Sequence, residues 1–226
     1  MYQKKIQMSE SILLAMFLAI GGGFRDAYSY NVRGHVFANA QTGNLVLLSQ
    51  ALARQEWQVA FKFVFPILAF IVGIYITDLI KFAFQNSKKI HWRQIILILE
   101  ILMLGGVGLI PMEANHFANV IISLACAMQV EGFRNFLGLP MATTMCTGNL
   151  RSGTALLSAY TTTKNPLNLK QSHYYYFVVT MFCIGAGLGA VTSDWWGGKS
   201  IWLDAVIMVI AFGLMFRKRA NFIKIK

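Results

Sequence analysis

The chain has 226 residues, 56% of them hydrophobic and 13% charged, with a mean hydropathy of +0.54 and a formal net charge of +11. Soluble domains run at about 45–50% apolar and about 25% charged, so both departures exclude a soluble enzyme, a nucleic-acid-binding domain and a secreted disulfide scaffold. The expected class is an all-α polytopic membrane protein.

The apolar residues gather at 11–24, 63–77, 95–112, 117–130, 174–192 and 201–216. A bilayer-spanning helix takes roughly 17–25 mostly apolar residues. Six transmembrane helices would therefore use most of the chain, as one transmembrane domain over 1–226. The first block follows Lys4 and Lys5 and extends as a helix over 11–32, interrupted or kinked at Gly21-Gly22-Gly23. Ala38-Asn39-Ala40 has the small-x-small form of a signal-peptide cleavage site. It lies too far from the basic start, so the first block is read as retained. Residues 33–41 are polar and irregular, and 42–53 form a short apolar helix with Thr42 as its N-cap type. Twelve residues at about 1.5 Å each cover only half the hydrocarbon. This piece is therefore read as a re-entrant half-helix starting near the midplane, where irregular backbone needs protein or a water-filled cavity around it. In the second half of the chain Gly138-Leu139-Pro140 breaks the backbone, and Thr147 caps the equivalent half-helix.

Lys and Arg accumulate on cytoplasmic loops. Lys4, Lys5, Lys81, Lys88, Lys89, Arg93, Lys164, Lys170, Arg217, Lys218, Arg219, Lys224 and Lys226 fall on one side of a six-helix topology, against Arg54, Lys62 and Lys199 on the other. Both termini are expected in the cytoplasm, with 218–226 a basic tail. The remaining arginines, Arg25, Arg33, Arg134 and Arg151, lie near the expected core.

Thr42-Gly43-Asn44-Leu45 recurs as Thr147-Gly148-Asn149-Leu150, with Asp26 and Glu131 each sixteen residues before its threonine. Asp78 and Asp194 form a second acidic pair, and Glu100 and Asp204 a third. Two repeats follow, at about 9–112 and about 117–217. Three crossings in each repeat would invert the second against the first, a common construction of secondary transporters. Gly22-Gly23-Phe24-Arg25-Asp26-Ala27, Ala38-Asn39-Ala40-Gln41-Thr42-Gly43-Asn44, and Ala142-Thr143-Thr144-Met145-Cys146-Thr147-Gly148 after Gln129 resemble the YoaK family of bacterial integral membrane proteins. That resemblance covers nearly the whole chain. It implies a multi-pass protein of the bacterial cell membrane and no particular activity. Glu131 and Arg134 depart from the family pattern.

The two Thr-Gly-Asn helix starts, entering from opposite sides, are expected to meet centrally, where free N–H groups and helix dipoles favour an anion. Thr42, Gly43, Asn44, Thr147, Gly148 and Asn149 are the candidate solute-binding residues, with Arg25 and Arg134 as cationic partners. Asp26 and Glu131 are the candidate proton-coupling acids, since ionisable groups inside membranes are costly and usually functional. Glu131 and Arg134, three apart, can pair on one helix. A tight packing corner, or a static ion-pair network, would explain the same residues. Asp78, Asp194, Glu100 and Asp204 are assigned to helix ends, near loop lysines. Gly105-Gly106-Val107-Gly108 and Gly185-Ala186-Gly187-Leu188-Gly189 are read as close helix packing. Cys126, Cys146 and Cys183 are read as small hydrophobes, and His35, in the irregular stretch, is the histidine to test. Trp57, Trp92, Trp195, Trp196 and Trp202 sit at helix ends, as interfacial residues should. No catalytic arrangement, metal site or cofactor is expected. The leading expectation is a proton-coupled secondary transporter of a small, anionic solute, not an enzyme. A passive channel and a membrane-embedded lipid-handling protein or enzyme are the alternatives. The lipid bilayer and the solute are the expected partners, nucleic acid is not, and a homo-oligomer is left open.

Overall fold

The computed structural model describes residues 2–6, 8–87, 90–216 and 221–225. Lys88, Lys89, Arg217, Lys218, Arg219 and Lys226, counted above toward topology, lie outside the described residues. Among the described residues, eight α-helices follow one another: α1 (Ile12–Val32), α2 (Gln41–Ala53), α3 (Trp57–Phe84), α4 (Trp92–Val107), α5 (Asn115–Gly132), α6 (Cys146–Thr163), α7 (Pro166–Trp196) and α8 (Ile201–Leu214). Strands β1 (Tyr2–Ile6) and β4 (Asn221–Ile225) pair antiparallel, so both ends of the chain lie on one face of the molecule. Strands β2 (Asn135–Phe136) and β3 (Leu139–Pro140) make a small hairpin, with Leu137 and Gly138 at positive φ in its turn.

This is an all-α membrane protein. α1, α3 and the stretch through α7 and α8 are long and apolar enough to cross a bilayer. α3 exposes Phe61, Phe65, Leu68, Ile71, Val72, Tyr75 and Leu79, an apolar face far too extensive for a surface in water. The helix starts follow local chemistry. Ser11 accepts a hydrogen bond from the Leu14 N–H at 3.2 Å and caps α1. His91 and Gln94 form a reciprocal capping box on α4. Asn165 caps α7, and Pro166 occupies the first turn, where its missing N–H costs nothing. All five tryptophans lie at helix ends, as the sequence suggested: Trp57 and Trp92 open α3 and α4, Trp195 and Trp196 close α7, and Trp202 is in the first turn of α8.

α1 lies along α7, and α5 lies along α3; α2 packs on α3, α6 on α7, α8 on α1, α5 on α4, and α4 on α8. The expected break at Gly21-Gly22-Gly23 is absent, since α1 is one uninterrupted helix. Those glycines serve three neighbours instead. A Cβ at Gly21 would strike Asp204 and Met208, at Gly22 Thr144, and at Gly23 the α7 backbone at Phe182 and Ala186. From the other side of that seam, Gly185 lies on the Ile20 carbonyl and Gly189 on the Phe24 backbone. Both contacts advance together, so α1 and α7 run parallel. Small residues four apart permit this approach. Gly73 of α3 makes the matching contact with Leu124 and Ala127 of α5. The packing role expected for 105–108 holds for Gly108, where a Cβ would strike Trp202. A Cβ at Gly105 or Gly106 would meet nothing within 4 Å, and Gly105 meets the same tryptophan only through its carbonyl, which accepts from Trp202 Nε1 at 3.1 Å.

Candidate functional site

Arg25 occupies the middle of the bundle with no exposed surface. Its Nη1 is ion-paired with Glu100 of α4, and its Nε donates to Asp204 Oδ2 of α8 at 2.8 Å. Its Nη2 donates to Gln129 Oε1 of α5 at 2.7 Å, and Cys126 Sγ and Met208 Sδ complete the shell. Four helices thus meet on one guanidinium. The fork of Arg, planar and permanently charged, suits two carboxylates at once.

This corrects the assignment of Glu100 and Asp204 to solvated helix ends. Glu100 is the ninth of sixteen residues in α4, and both side chains are fully buried. Asp204 is in the first turn of α8 but points inward, against Gly21. The signal was legible: the two acids occupy matching places in the two halves of the chain. An acid repeated within an apolar helix asks for a partner inside the protein. Asp78 and Asp194 do lie exposed toward the ends of α3 and α7.

Asp26, the next residue, faces elsewhere. Its Oδ1 accepts the Asn39 N–H at 2.7 Å, holding the backbone that leads into α2. Asn39 Nδ2 in turn donates to the Gly22 carbonyl at 3.0 Å. The start of α2 therefore lies level with the middle of α1. Thr42 is not its N-cap, as α2 begins at Gln41 after Ala40 and has no side-chain cap. The Asp26 carboxylate of α1 instead holds the backbone just before the helix, and its charge complements the positive end of α2. Asp26→Ala is expected to destabilise the protein by about 1–2 kcal/mol, with Asp26→Asn costing under half as much because it keeps an acceptor. Thermal unfolding in detergent checks this.

Thr147 is likewise not a cap, because α6 begins at Cys146 after Met145. Asn44 and Asn149 are buried and hold their own lead-in loops. Asn44 Nδ2 donates to the Phe37 carbonyl at 2.8 Å, and Asn149 Nδ2 to the Ala142 carbonyl at 2.6 Å. Each reaches seven residues back, so the repeated motif builds the same corner twice. Thr42, Thr147 and Gly148 are exposed, and Gly43 is half-buried against Phe37. Before α6, Thr143 Oγ1 accepts from Gln129 Nε2 at 3.2 Å, and the buried Thr144 hydroxyl, against Gly22, has no protein partner.

The other candidates lie apart from this centre. Glu131 and Arg134 pair at 3.0 Å near the end of α5, with the arginine side chain 65% exposed and the carboxylate 10%. Arg33 is fully buried, yet it pairs with no acid among the described residues. It donates to the carbonyls of Val107, Ile110 and Pro111, to Asn115 and to the Tyr28 hydroxyl, closing the end of α4. Arg93, which composition placed in a loop, closes the opposite end through the Gly132 carbonyl, Ser9 and Glu10. Both supply the orphan carbonyls of a helix C-terminus with donors. Arg151 is exposed, and His35 lies at positive φ with its ring edge against Tyr30. Of the cysteines, Cys126 is buried on Arg25, Cys146 is half-buried and Cys183 is exposed.

Compared with known proteins, residues 14–214 match the model of a family described as "Protein of unknown function (DUF1275)". The chain is 23% identical over 211 residues to the UPF0700 transmembrane protein YoaK of Bacillus subtilis (strain 168), covering 89% of this chain and 91% of that protein. No solved structure matches.

Proposed function

We propose, for a chain that belongs to the DUF1275 family, that it is a proton-coupled secondary transporter of a small anionic solute, made of two inverted repeats of three crossings. The observation that carries this reading is the meeting of the lead-ins of α2 and of the longer α6 on Gly22, midway along α1, with Asn39 on its carbonyl and Thr144 against its Cα. Broken helices that begin at mid-depth, in the two halves of an inverted repeat, are where secondary transporters hold their substrates.

The packing supports the same construction. Exchanging α1 with α5, α2 with α6, α3 with α7 and α4 with α8 turns the α1–α7 pair into α5–α3, the α2–α3 pair into α6–α7, and the α1–α8 pair into α5–α4. The α4–α8 pair maps onto itself, as elements on a pseudo-twofold axis do. The pairing of β1 with β4, together with the basic ends, favours both termini in the cytoplasm of the bacterium.

The solute site in this reading lies between 42–44 and 143–149. The two helix starts differ there. The lead-in of α2 already carries the Asp26 carboxylate, whereas Glu131, its counterpart by repeat, is engaged with Arg134. The start of α6 is therefore the better place for a solute anion, with the Thr144 hydroxyl as a donor. Arg25 has its charge matched twice over and serves the bundle instead. Uptake by proteoliposomes under an imposed proton gradient, across a panel of small organic and inorganic anions, tests the reading. Thr144→Val is expected to lower uptake about five- to tenfold, the worth of one hydrogen bond of about 1–1.5 kcal/mol, with the melting temperature unchanged. Absence of any proton-dependent flux over the panel would defeat it.

A further inference from the structure

The cluster around Arg25 has an unbalanced charge. Glu100 and Asp204 approach its guanidinium from two helices, on Nη1 and on Nε, and none of the three has exposed surface. Asp26, also buried, stands next along α1. Among the described residues the thiol of Cys126 is the remaining ionisable group in contact with the guanidinium, and Gln129 is neutral. One cation therefore faces two carboxylates at the core of a membrane protein. An uncompensated charge there costs several kcal/mol. Glu100 Oε2 and Asp204 Oδ1 are, besides, buried without any hydrogen-bond partner, and orphaned buried acceptors are themselves costly.

We propose that Glu100 and Asp204 together hold one exchangeable proton over Arg25, and that this pair is the proton-coupling site of the transporter. The inference rests on the transporter reading for its coupling role, though not for the proton itself. One proton, taken from bulk water and returned to it, brings Arg25 and its two ion-paired carboxylates from one net negative charge to neutrality, while Asp26 is turned to the Asn39 N–H. It also gives an orphaned oxygen a hydrogen to share.

A route from the proton to the solute region is built in. Gln129 accepts from Arg25 with its carbonyl oxygen, and its amide nitrogen donates to Thr143 Oγ1 and to the Leu18 carbonyl at 3.0 Å. Thr143 adjoins Thr144 in the lead-in of α6. When the proton leaves, the second carboxylate competes for the guanidinium, and Arg25 loosens its hold on Gln129. Gln129 is thus a positioning residue. Because Glu100 and Asp204 occupy matching places in the two repeats, while position 130 opposite Arg25 is a valine, the arginine is shared across the pseudo-axis. The proton can then rest on either repeat.

Difference infrared spectroscopy of the whole protein in lipid, comparing H2O with D2O at neutral pH, tests the proposal. Wild type is expected to show the carbonyl band of a protonated carboxylic acid, shifted by deuterium. Glu100→Gln and Asp204→Asn are each expected to lose it, since the remaining carboxylate then has Arg25 to itself and stays ionised. Asp26→Asn is expected to keep it. A wild type without the band, or a band lost in Asp26→Asn alone or kept in both other variants, would overturn the proposal. If one single variant fails to fold, the double variant Glu100→Gln/Asp204→Asn assigns the band to the pair, and a band kept there would overturn the proposal. Proteoliposome flux separates the two ideas. The expected band without any flux would sink the transporter while leaving the proton site standing. Flux with no band would do the reverse. In Gln129→Met the band is expected to persist while the dependence of uptake on the proton gradient falls at least tenfold; unchanged dependence would remove Gln129 from the route.

Discussion

Replacing Arg25 with glutamine is expected to destabilise the protein by about 3–5 kcal/mol, the cost of breaking a buried ion pair by removing one partner. The loss comes less from the missing attraction than from what stays behind. Glu100 and Asp204 must then sit charged in a dry interior, or take protons and lose the fork that oriented them. Gln129 also loses the donor to its carbonyl oxygen. Adding Glu100→Gln and Asp204→Asn to Arg25→Gln is expected to restore most of the stability, because a neutral cluster of similar shape leaves no unpaired charge. Denaturant unfolding in detergent checks both statements. If the triple variant is as unstable as the single one, packing rather than charge dominates at this centre. If it folds well and no longer responds to a proton gradient, the charges serve transport more than stability.

Gly185→Val is expected to cost about 3 kcal/mol, at the upper end for overpacking, and to reduce the folded yield in membranes. A Cβ at this position would fall on the Ile20 carbonyl, which is backbone and cannot turn aside as a side chain would. The α1–α7 seam is among the most extensive in the molecule, and Gly23 and Gly189 flank the same contact. Widening it would also shift Gly22 away from Thr144, and Gly21 away from Asp204. Gly187, two residues along, faces nothing within 4 Å. Gly187→Ala is expected to stay within about 0.5 kcal/mol of wild type, as for an ordinary surface change. Equal losses at the two positions would mean that the close approach of the two backbones is not what sets the cost, since helix propensity by itself favours both replacements over glycine.

Much of the fold was legible because membranes impose simple rules. The short helix expected over 42–53 is present as Gln41–Ala53, and the irregular stretch before it is present as well. The chain break expected at Gly138-Leu139-Pro140 is a small hairpin, turning at Leu137 and Gly138 with Leu139 and Pro140 as its second strand. Periodicity and glycine content were less safe guides. Three consecutive glycines suggested a kink in α1, yet a helix enclosed by neighbours keeps its hydrogen bonds. There the small residues are selected by approach distance. The Thr-Gly-Asn motif was read for its threonine and its helix dipole. In the folded chain its asparagines do the visible work, each tying down the loop seven residues back. Hydrogen-bond partners of that kind depend on how a loop returns, which local sequence does not disclose.

What the sequence alone determined is the solvent, the number of apolar blocks, the family and the recurrence of the Thr-Gly-Asn motif. All of these follow from composition and from spacing along one chain. Which acid meets which arginine was decided by the tertiary structure. Arg25 and Asp26 are adjacent residues on one helix, but their side chains leave it about 100° apart. One therefore enters the junction of α4, α5 and α8, and the other caps the lead-in of α2. Glu100 and Asp204 are 104 positions apart in the chain, and they come together because α4 packs on α8. In a dry interior a charge takes the partner that packing brings within reach, and sequence separation does not enter that choice.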